Sequence, residues 1–514
     1  MRKDKILWAD DEIDLLKPHI LFLEEKGYEV VPVVSGQDAI DCCKEQPFDL
    51  IFLDENMPGL SGLETLTYIK QFYPEVPVVM VTKSEEESIM DQAIGNKMAD
   101  YLIKPVNPNQ LFLTIKKNIH KTNIINETTT SNYQQEFKRI SSQIYNSDSA
   151  NDWIEIYKKM IYWELILEEG QTEMQELLRM QKKEANFSFA KFVKKNYQEW
   201  IEKPEKRPLL SPDIFKNKLF PLLDKGEKLF FILIDNFRLD QWFSVKSLLS
   251  DYFTFDEQLY YSILPTATQY ARNSIFSGFM PLQIEQIFPL LWVDEESEDG
   301  KNINEEPLIK TQLERFRKNY SYSYHKIYDS LFGEKLINGF SDLMKYQLNV
   351  IVMNFIDMLS HARTESIMIR ELAQTEAAYR SLTRSWFQHS TTLELLKLIA
   401  NKGIKVILTT DHGTIRVDTP LKIVGDKNTN TNLRYKFGRN LAYNYKEVFE
   451  IREPQKVGLP SPNLSTKYVF AFNDSFFAYP NNFNYYVSYY KNTFQHGGIS
   501  LEEMVVPLIT LNPK

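Results

Sequence analysis

The sequence FLDENMPGLSG (Phe52–Gly62) is an apolar run that ends in an aspartate and passes directly into a turn containing proline and glycine. Such a run, bounded by turn residues, predicts a buried β-strand with Asp54 at its carboxyl end. Helical-period stretches separate it from further short apolar runs on either side. With the central one, these runs are Lys5–Ala9, Glu29–Val33, Leu50–Leu53, Val76–Val81 and Asp100–Ile103. The alternation predicts a doubly wound (βα)5 domain over residues 1–120, with its site beyond the carboxyl ends of parallel strands.

Acidic, hydroxyl and amine side chains stand at the ends of these predicted strands. Asp10 and Asp11 follow the first strand, Asp54 ends the third, Thr82 ends the fourth and Lys104 ends the fifth. Clustered carboxylates repel one another and are readily held by Mg²⁺, which prefers oxygen ligands. The pattern therefore predicts a phosphoryl-transfer site with Asp54 as the nucleophile. If the acids were only helix caps, Thr82 and the Lys-Pro pair would not be required at the later strand ends.

In the segments WADDE, FLDENMPGLSG, MVTKSE and YLIKP, the sequence resembles the receiver domain of two-component response regulators. The resemblance implies a partner sensor histidine kinase that leads to phosphorylation of Asp54. It also implies a cis peptide at Lys104–Pro105. The Mg²⁺ ligands are then Asp10, Asp11, Asp54 and the Asn56 carbonyl. The residues that respond to phosphorylation are Thr82, Tyr101 and Lys104.

Residues 121–225 lack strand signals and are predicted to form a helical bundle, after a polar stretch, NETTTSNYQQE (126–136), that is typical of a linker. An apolar stripe at spacings of three and four marks one helix face. Its members are Trp153, Ile156, Met160, Trp163 and Leu167. The stripe is either a dimerisation or transmission element or the core of the bundle itself. Because the region is not strongly basic, direct DNA binding is disfavoured, although the pattern alone leaves a helix-turn-helix open.

Three apolar runs of the C-terminal half also end in aspartates, and histidines accompany them. The runs are LFFILID ending at Asp235, VIVMNFID ending at Asp357 and VILTTD ending at Asp411; the histidines are His361, His412 and His496. If a helix begins at Asp357, His361 shares its face. Strand-end aspartates and neutral imidazoles suit Zn²⁺, which accepts mixed oxygen and nitrogen ligands. The set is large enough for two ions.

A threonine-rich turn, LPTATQYARNSIFSG (264–278), leads into a predicted helix and offers a nucleophile. A threonine hydroxyl is scarcely ionised at neutral pH, but a nearby metal ion lowers its pKa, and a helix N-terminus favours a substrate anion. We expect a metal-assisted phosphoryl transfer in this half of the chain.

These pieces, in this order, resemble the alkaline phosphatase superfamily and its PglZ branch over residues 226–514. The closing run HGGISLEEMVVPLITL (496–511) is similar to the segment that ends such domains. The resemblance implies that Thr268 carries the catalytic hydroxyl, with Thr266 as the alternative. It implies one metal site of Asp235, Thr268, Asp411 and His412, and a second of Asp357, His361 and His496. Arg272 and Asn273 are candidate contacts to a substrate oxygen.

Taken together, the three regions resemble the PorX family of regulators of type IX secretion. The resemblance implies a zinc-dependent phosphodiesterase that acts on nucleotide-type substrates, a homodimer promoted by phosphorylation, and contacts with secretion components or a sigma factor. The alternative is a non-catalytic metal-containing signalling adaptor that binds those partners.

The composition limits other classes of function. The formal charge of −9 gives no general attraction for nucleic acid, and the only cysteines, Cys42 and Cys43, are adjacent. No apolar run is long enough to span a membrane, which favours a cytoplasmic protein. The aromatic stretch at 479–490 favours a strand or lid, with base stacking as the alternative.

Overall fold

The structure is a computed structural model that describes residues 3–83, 98–119, 121–168, 172–293, 302–425, 429–463 and 465–514. It divides into two compact units, Met1–Asn132 and Tyr133–Lys514. The residue limits predicted for three domains stay a prediction.

The first unit contains a five-stranded parallel sheet in the order β2-β1-β3-β4-β5, which confirms the predicted doubly wound domain. Its strands are β1 (Lys5–Ala9), β2 (Glu29–Val33), β3 (Leu50–Asp54), β4 (Val78–Thr82) and β5 (Asp100–Ile103). Its described helices are the 3-10 turn Ile13–Leu16 and the α-helices Lys17–Glu25, Gly36–Glu45, Gly62–Phe72 and Pro108–Ile119. Because β3 and β4 are buried along their whole length, their polar side chains are concentrated at the carboxyl ends.

Three long helices, Lys121–Asn146, Ala150–Ile166 and Thr172–Glu202, follow the first sheet. The stretch 126–136, predicted to be a linker from its polar composition, lies within the first of these helices, and the boundary between the two compact units falls inside it. Polar residues do not prevent a helix when its apolar positions pack, and Tyr133 in this stretch is fully buried against Trp163 at a ring-centroid distance of 5.3 Å.

The apolar stripe of the second helix packs inside the chain. Trp153, Ile156 and Met160 are buried in the same hydrophobic core as the C-terminal sheet. The Phe189 ring of the third helix packs between the second helix and the C-terminal sheet. Its centroid lies 5.5 Å from that of Trp153 and 6.2 Å from that of Tyr261. The helical region and the C-terminal domain therefore share a core in the described structure.

The C-terminal domain is built on a six-stranded sheet in the order β7-β19-β10-β6-β9-β8. Strand β10 pairs in parallel with β6, β6 with β9 and β9 with β8, whereas β19 runs antiparallel to both β10 and β7. The strands of this sheet are β6 (Leu229–Ile234), β7 (Phe253–Tyr261), β8 (Tyr322–Ile327), β9 (Leu348–Met353), β10 (Lys405–Thr409) and β19 (Val505–Pro513). The carboxyl ends of β10, β6 and β9 thus lie next to one another at one edge.

Short strands and helices surround this sheet. The strands are β11 (Ile415–Arg416), β12 (Thr419–Val424), β13 (Tyr435–Gly438), β14 (Ala442–Tyr443), β15 (Phe449–Ile451), β16 (Lys467–Phe470), β17 (Ser475–Ala478) and β18 (Phe494–Gln495). The helices are Ser211–Asp213, Phe215–Leu219, Phe220–Leu223, Leu239–Lys246, Thr268–Ser277, Pro281–Ile287, Glu305–Arg315, Ser330–Asn338, Phe340–Leu343, Phe355–Glu365, Ile367–Leu372, Glu376–His389, Thr391–Asn401, Pro454–Val457, Phe483–Tyr490 and Leu501–Met504.

The aromatic stretch at 479–490 contains the helix Phe483–Tyr490, so the predicted strand was wrong. Phe483, Val487 and Tyr490 recur at helical spacing and pack against the apolar side chains of β11 and β17. None of the described helices is long and apolar enough to cross a membrane.

The shared core predicts that the helical region and the C-terminal domain unfold together. We expect Phe189→Ala, which opens a cavity between them, to destabilise the protein by roughly 3–5 kcal/mol. Met180→Ala, on the same helix and 66% exposed, should change stability little. Scanning calorimetry should show the C-terminal transition move to lower temperature for Phe189→Ala alone; a separate early transition with the main one unmoved would contradict a shared core.

Candidate active sites

The first unit gathers its acidic residues at the carboxyl ends of β1 and β3. Asp10, Asp11 and Asp54 each offer an oxygen within 4.8 Å of the others. Lys104 Nζ lies 2.8 Å from Asp10 Oδ2 and 3.1 Å from Asp54 Oδ1. Burial raises the pKa of Asp54, and the Lys104 ammonium opposes that rise. The cluster combines oxygen ligands of the kind that Mg²⁺ prefers with a cation suited to an incoming phosphoryl group.

The remaining predicted receiver residues stand around this cluster. Thr82 is buried at the end of β4, Tyr101 is half-buried in β5 and Asn56 is exposed in the turn after β3. The peptide Lys104–Pro105 is cis, as predicted.

The C-terminal sheet edge carries two groups of possible metal ligands. One group is Asp235, Asp411 and His412, all buried; the other is Asp357, His361 and His496. Within each group, one ligand atom of every residue lies within 4.8 Å of the others. The two groups adjoin, because the rings of His412 and His496 stack with centroids 4.3 Å apart. The sheet order explains this, since Asp411 follows β10, Asp235 follows β6 and the helix bearing Asp357 follows β9.

Backbone carbonyls define the tautomers of His412 and His496. His412 Nδ1 lies 3.1 Å from Gly413 O, and His496 Nδ1 lies 3.1 Å from Thr266 O. A carbonyl can only accept, so each Nδ1 carries a proton, and in the neutral ring Nε2 is then the atom with the lone pair. Burial, reinforced by the neighbouring His412, lowers the pKa of His496 to about 3. The two backbone carbonyls thus orient both rings through Nδ1 and leave each Nε2 as the ring nitrogen that is available to a metal ion.

Thr268 opens the helix Thr268–Ser277 and faces the first group. Its Oγ1 lies 3.1 Å from His412 Nε2 and 3.5 Å from Asp235 Oδ1, and the residue is only half-buried. Thr266 is fully buried, and its hydroxyl donates to Gly498 O at 2.9 Å and accepts from Gly497 N at 3.0 Å. Between the two threonines, Thr268 has the hydroxyl that is directed at the candidate ligands, while Thr266 holds the loop that follows His496.

That loop depends on its glycines and on a buried ion pair. Gly497 has a φ of +119°, and a Cβ at Gly498 would stand 2.4 Å from the Ala471 carbonyl oxygen. Gly498 N donates to Glu503 Oε1 at 2.9 Å, and Arg434 binds both oxygens of the same carboxylate. A residue with a side chain could not replace these glycines without strain or a clash. The position of His496 therefore depends on the backbone of this loop.

Arg272 pairs with the carboxylates of the first group of possible metal ligands. It is fully buried and pairs with Asp235, with Asp411 at 3.0 Å and with Glu305 at 3.1 Å. The buried carboxylates require a cation, which accounts for these ion pairs. The predicted contact of Arg272 with a substrate oxygen stays a prediction. Asn273, on the same helix, is also buried.

The electrostatics of the first group reflect this crowding. Burial raises the pKa of Asp235 well above its ordinary value; Arg272 opposes the rise, and the nearby Asp411 and Asp357 add to it. Burial also acts to raise the pKa of Asp411, but Arg272 and His412 hold it below its usual value. The site concentrates more negative charge than one arginine can balance, which is the situation that a divalent cation relieves.

Sequence reasoning missed residues that connect the groups. Asn236, with a φ of +63°, donates through Nδ2 to Asp357 Oδ1 at 3.3 Å and to Ser360 Oγ at 3.2 Å. Its backbone N lies 3.5 Å from Asp411 Oδ1. Its position directly after a strand-end aspartate was the available signal. No sequence signal marked Glu305, because its partners Arg272, Tyr324 and Lys326 are distant from it in the sequence.

Comparison with known families agrees with this arrangement. The model of the BREX system PglZ alkaline phosphatase-like domain matches residues 214–511, more than half of the chain. The chain belongs to the PglZ family. The model of the PorX response regulator linker domain matches residues 123–201, and that of the response regulator receiver domain matches residues 6–116. Receiver, PorX linker and PglZ domain together make this a PorX-type response regulator, as predicted.

Two curated relatives are similar to about a quarter of the chain. The transcriptional regulatory protein ZraR of Escherichia coli O157:H7 is 33% identical over 124 residues, which is 24% of this chain and 28% of that protein. ZraR of Klebsiella oxytoca is 31% identical over 132 residues, or 26% of this chain and 30% of that protein. The chain thus spans less than a third of the length of these curated relatives.

Two solved structures are also similar to about a quarter of the chain. A CheY-like receiver domain protein from Methanospirillum hungatei JF-1 is 26% identical, with 23% of this chain and 96% of that chain covered and a TM-score of 0.23. The chemotaxis protein CheY4 of Vibrio cholerae is 27% identical, with 23% and 99% covered and a TM-score of 0.22.

The buried position of Arg272 predicts a large contribution to the stability of the PglZ domain. We expect Arg272→Leu to destabilise the metal-free protein by roughly 3–5 kcal/mol, since it leaves buried carboxylates without their cation. Arg272→Lys keeps the positive charge but loses the several N–H donors of the guanidinium, so its loss of stability should be intermediate. Thermal unfolding in the presence of a chelator measures both, and a Leu variant as stable as the wild type would contradict this role.

Proposed function

We propose that the PglZ domain is a zinc-dependent phosphodiesterase that acts on nucleotide-type substrates, and that phosphorylation of Asp54 controls it as part of the regulation of type IX secretion. The observation that carries the catalytic part is the position of Thr268. Its hydroxyl stands at the N-terminus of a helix, half-buried, and faces the ligand atoms of Asp235 and His412.

The donor sets fit two zinc ions. Each group combines carboxylate oxygen with imidazole nitrogen, the mixture that Zn²⁺ accepts, and the stacked rings of His412 and His496 bring the groups together. Asp235, Asp411, His412 and Thr268 would hold one ion, and Asp357, His361 and His496 the other. Zinc ions bound there supply charge that lowers the pKa of a nearby hydroxyl and stabilises negative charge on a transferring phosphoryl group.

The residues of the chain then divide the remaining work. The helix that begins at Thr268 directs its backbone N–H groups towards a substrate phosphate. Thr268 releases its hydroxyl proton to solvent as Oγ1 attacks phosphorus; the bond to the leaving oxygen breaks, and that oxygen takes up a proton from solvent. Water then hydrolyses the phospho-threonine and restores the hydroxyl. Arg272 and Asn236 act as positioning residues, because they hold the carboxylates on which this geometry depends.

The receiver supplies the control. A receiver domain implies a phosphodonor such as a sensor histidine kinase. Asp54 would accept the phosphoryl group, with Lys104 beside it. A Mg²⁺ ion would be held by Asp10, Asp11, Asp54 and the Asn56 carbonyl. Thr82 and Tyr101 would respond to the added charge of about −1.5 to −2.

The match to the PorX linker supports a role in type IX secretion, with secretion components or a sigma factor as partners. Phosphorylation would favour a homodimer.

The catalytic proposal predicts that Thr268→Val abolishes zinc-dependent hydrolysis of a chromogenic phosphodiester, because covalent transfer requires the hydroxyl. Thr268→Ser keeps a hydroxyl and should retain measurable turnover. Zinc content, measured by atomic emission, must be equal in the three proteins.

If wild type and both variants fail to hydrolyse a panel of mono- and diesters at full zinc loading, the PglZ domain is a metal-containing binding module. If Thr268→Val is as active as the wild type, the nucleophile is a different group.

The regulatory proposal predicts that a phosphoryl mimic, beryllofluoride with Mg²⁺, shifts the full-length protein from monomer to dimer in sedimentation velocity. Asp54→Asn should not respond, since it offers no carboxylate to the mimic. The same shift in Asp54→Asn, or none in the wild type, would contradict control of dimerisation through Asp54.

A further inference from the structure

A cavity of about 410 Å³ lies between the PorX linker helices and the PglZ domain, inside the second unit. Its linker wall comes from the helices Ala150–Ile166 and Thr172–Glu202. Its PglZ wall comes from β11, the turn at Asn473 and the helix Glu376–His389. The volume lies within the range of small-molecule sites, roughly 300–1,000 Å³. The proposed metal ligands and Thr268 do not line it.

Three residues on the walls of this cavity have a buried polar atom without a hydrogen-bond partner among the described residues. The atoms are Arg416 Nε, Asn473 Oδ1 and Arg380 Nε, and the Arg380 side chain as a whole is only 4% exposed. Folded proteins leave few such atoms, because a buried donor or acceptor without a partner is costly. Donors and an acceptor left together around one cavity point to an occupant that carries both kinds of group.

The mouth of the cavity has an excess of positive charge. Lys183 lies 2.7 Å from Asp474 and 3.6 Å from Asp418, and Arg179 lies 3.7 Å from Asp418. Arg416 forms no ion pair and no side-chain hydrogen bond within the described ranges. Lys491 also lies 3.1 Å from Asp418, and Arg179 lies 3.6 Å from Glu176. Four cations thus meet three carboxylates here, and the unpaired Arg416 favours an anionic group at this end.

The deeper end is acidic and accepts hydrogen bonds. Glu164 lies 2.8 Å from Lys182 and 2.9 Å from Arg380, and Glu502 lies 3.2 Å from Lys182. The cations here are already paired, and each carboxylate has lone pairs for more than one donor. This end suits hydroxyl or amino groups rather than a second anion.

We propose that this cavity is a second ligand site, for a phosphomonoester of mononucleotide size. Its phosphate contacts Arg416, Arg179 and Lys183, and its hydroxyl or amino groups donate to Glu164 and Glu502. Binding here does not depend on the phosphodiesterase activity proposed above.

The site is connected to both metal groups through two short strands. Arg416 lies on β11, which follows His412, and it pairs in register with Phe494 of β18, which precedes His496. Arg179 and Lys183 belong to the linker helix. An occupant therefore ties the linker to the strands that carry the metal-binding histidines.

The test uses full-length, zinc-loaded protein with AMP as the probe and adenosine and inorganic phosphate as comparison ligands. Hydrogen–deuterium exchange with AMP should show protection in residues 175–186 and 415–418, and titration calorimetry should give a dissociation constant at least tenfold weaker for Arg416→Gln. Arg139→Gln, 74% exposed on another linker helix, should bind like the wild type. Arg179→Gln, on the opposite wall, gives a second variant if Arg416→Gln loses zinc.

The comparison ligands decide the chemistry. Adenosine should not bind measurably, and inorganic phosphate should bind more weakly than AMP at the same peptides. The proposal is overturned if AMP protects only residues near Thr268 and His496, if adenosine binds as well as AMP, or if both Arg416→Gln and Arg179→Gln bind AMP like the wild type. Phosphate binding as tightly as AMP would reduce the site to an adventitious ion only.

Discussion

Asp235 and Asp411 stand at the ends of adjacent parallel strands, both removed from water, and Arg272 binds the two carboxylates from behind. This cluster constrains the rest of the PglZ domain. The arginine must itself be buried on the helix that begins with Thr268, and Glu305 must balance its remaining charge. The other side of the carboxylates faces His412, where a bound cation would balance the charge that the arginine leaves.

The same constraint explains how the candidate nucleophile is positioned. Thr268 and Arg272 are four residues apart on one helix, so both side chains lie on one face of it. When Arg272 binds the carboxylates, the first turn of the helix is brought against Asp235 and His412. One helix therefore both positions the candidate nucleophile Thr268 and supplies the arginine that balances the buried carboxylates.

The linker helices are bound to the PglZ domain by hydrogen bonds next to the second group of possible metal ligands. Asn186 of the long linker helix donates to Glu502 at 2.9 Å and accepts from Leu501 N at 2.7 Å. The next residue, Glu503, binds Gly498 N in the loop that carries His496. A displacement of the linker helix would therefore reach His496 through these hydrogen bonds.

The sequence by itself determined the strand ends and the chemistry placed there. Period and turn residues locate β3, β6, β9 and β10, and an aspartate at or just after the end of a buried strand is visible without any structure. The two ligand groups could be proposed because the order of the motifs matched a family. The tertiary structure alone decided that β10, β6 and β9 are neighbours, that Arg272 lies behind the carboxylates and that the stripe at Trp153 packs into the PglZ core. Those facts depend on pairings between residues far apart in the chain, and local pattern carries no information about which distant surfaces will meet.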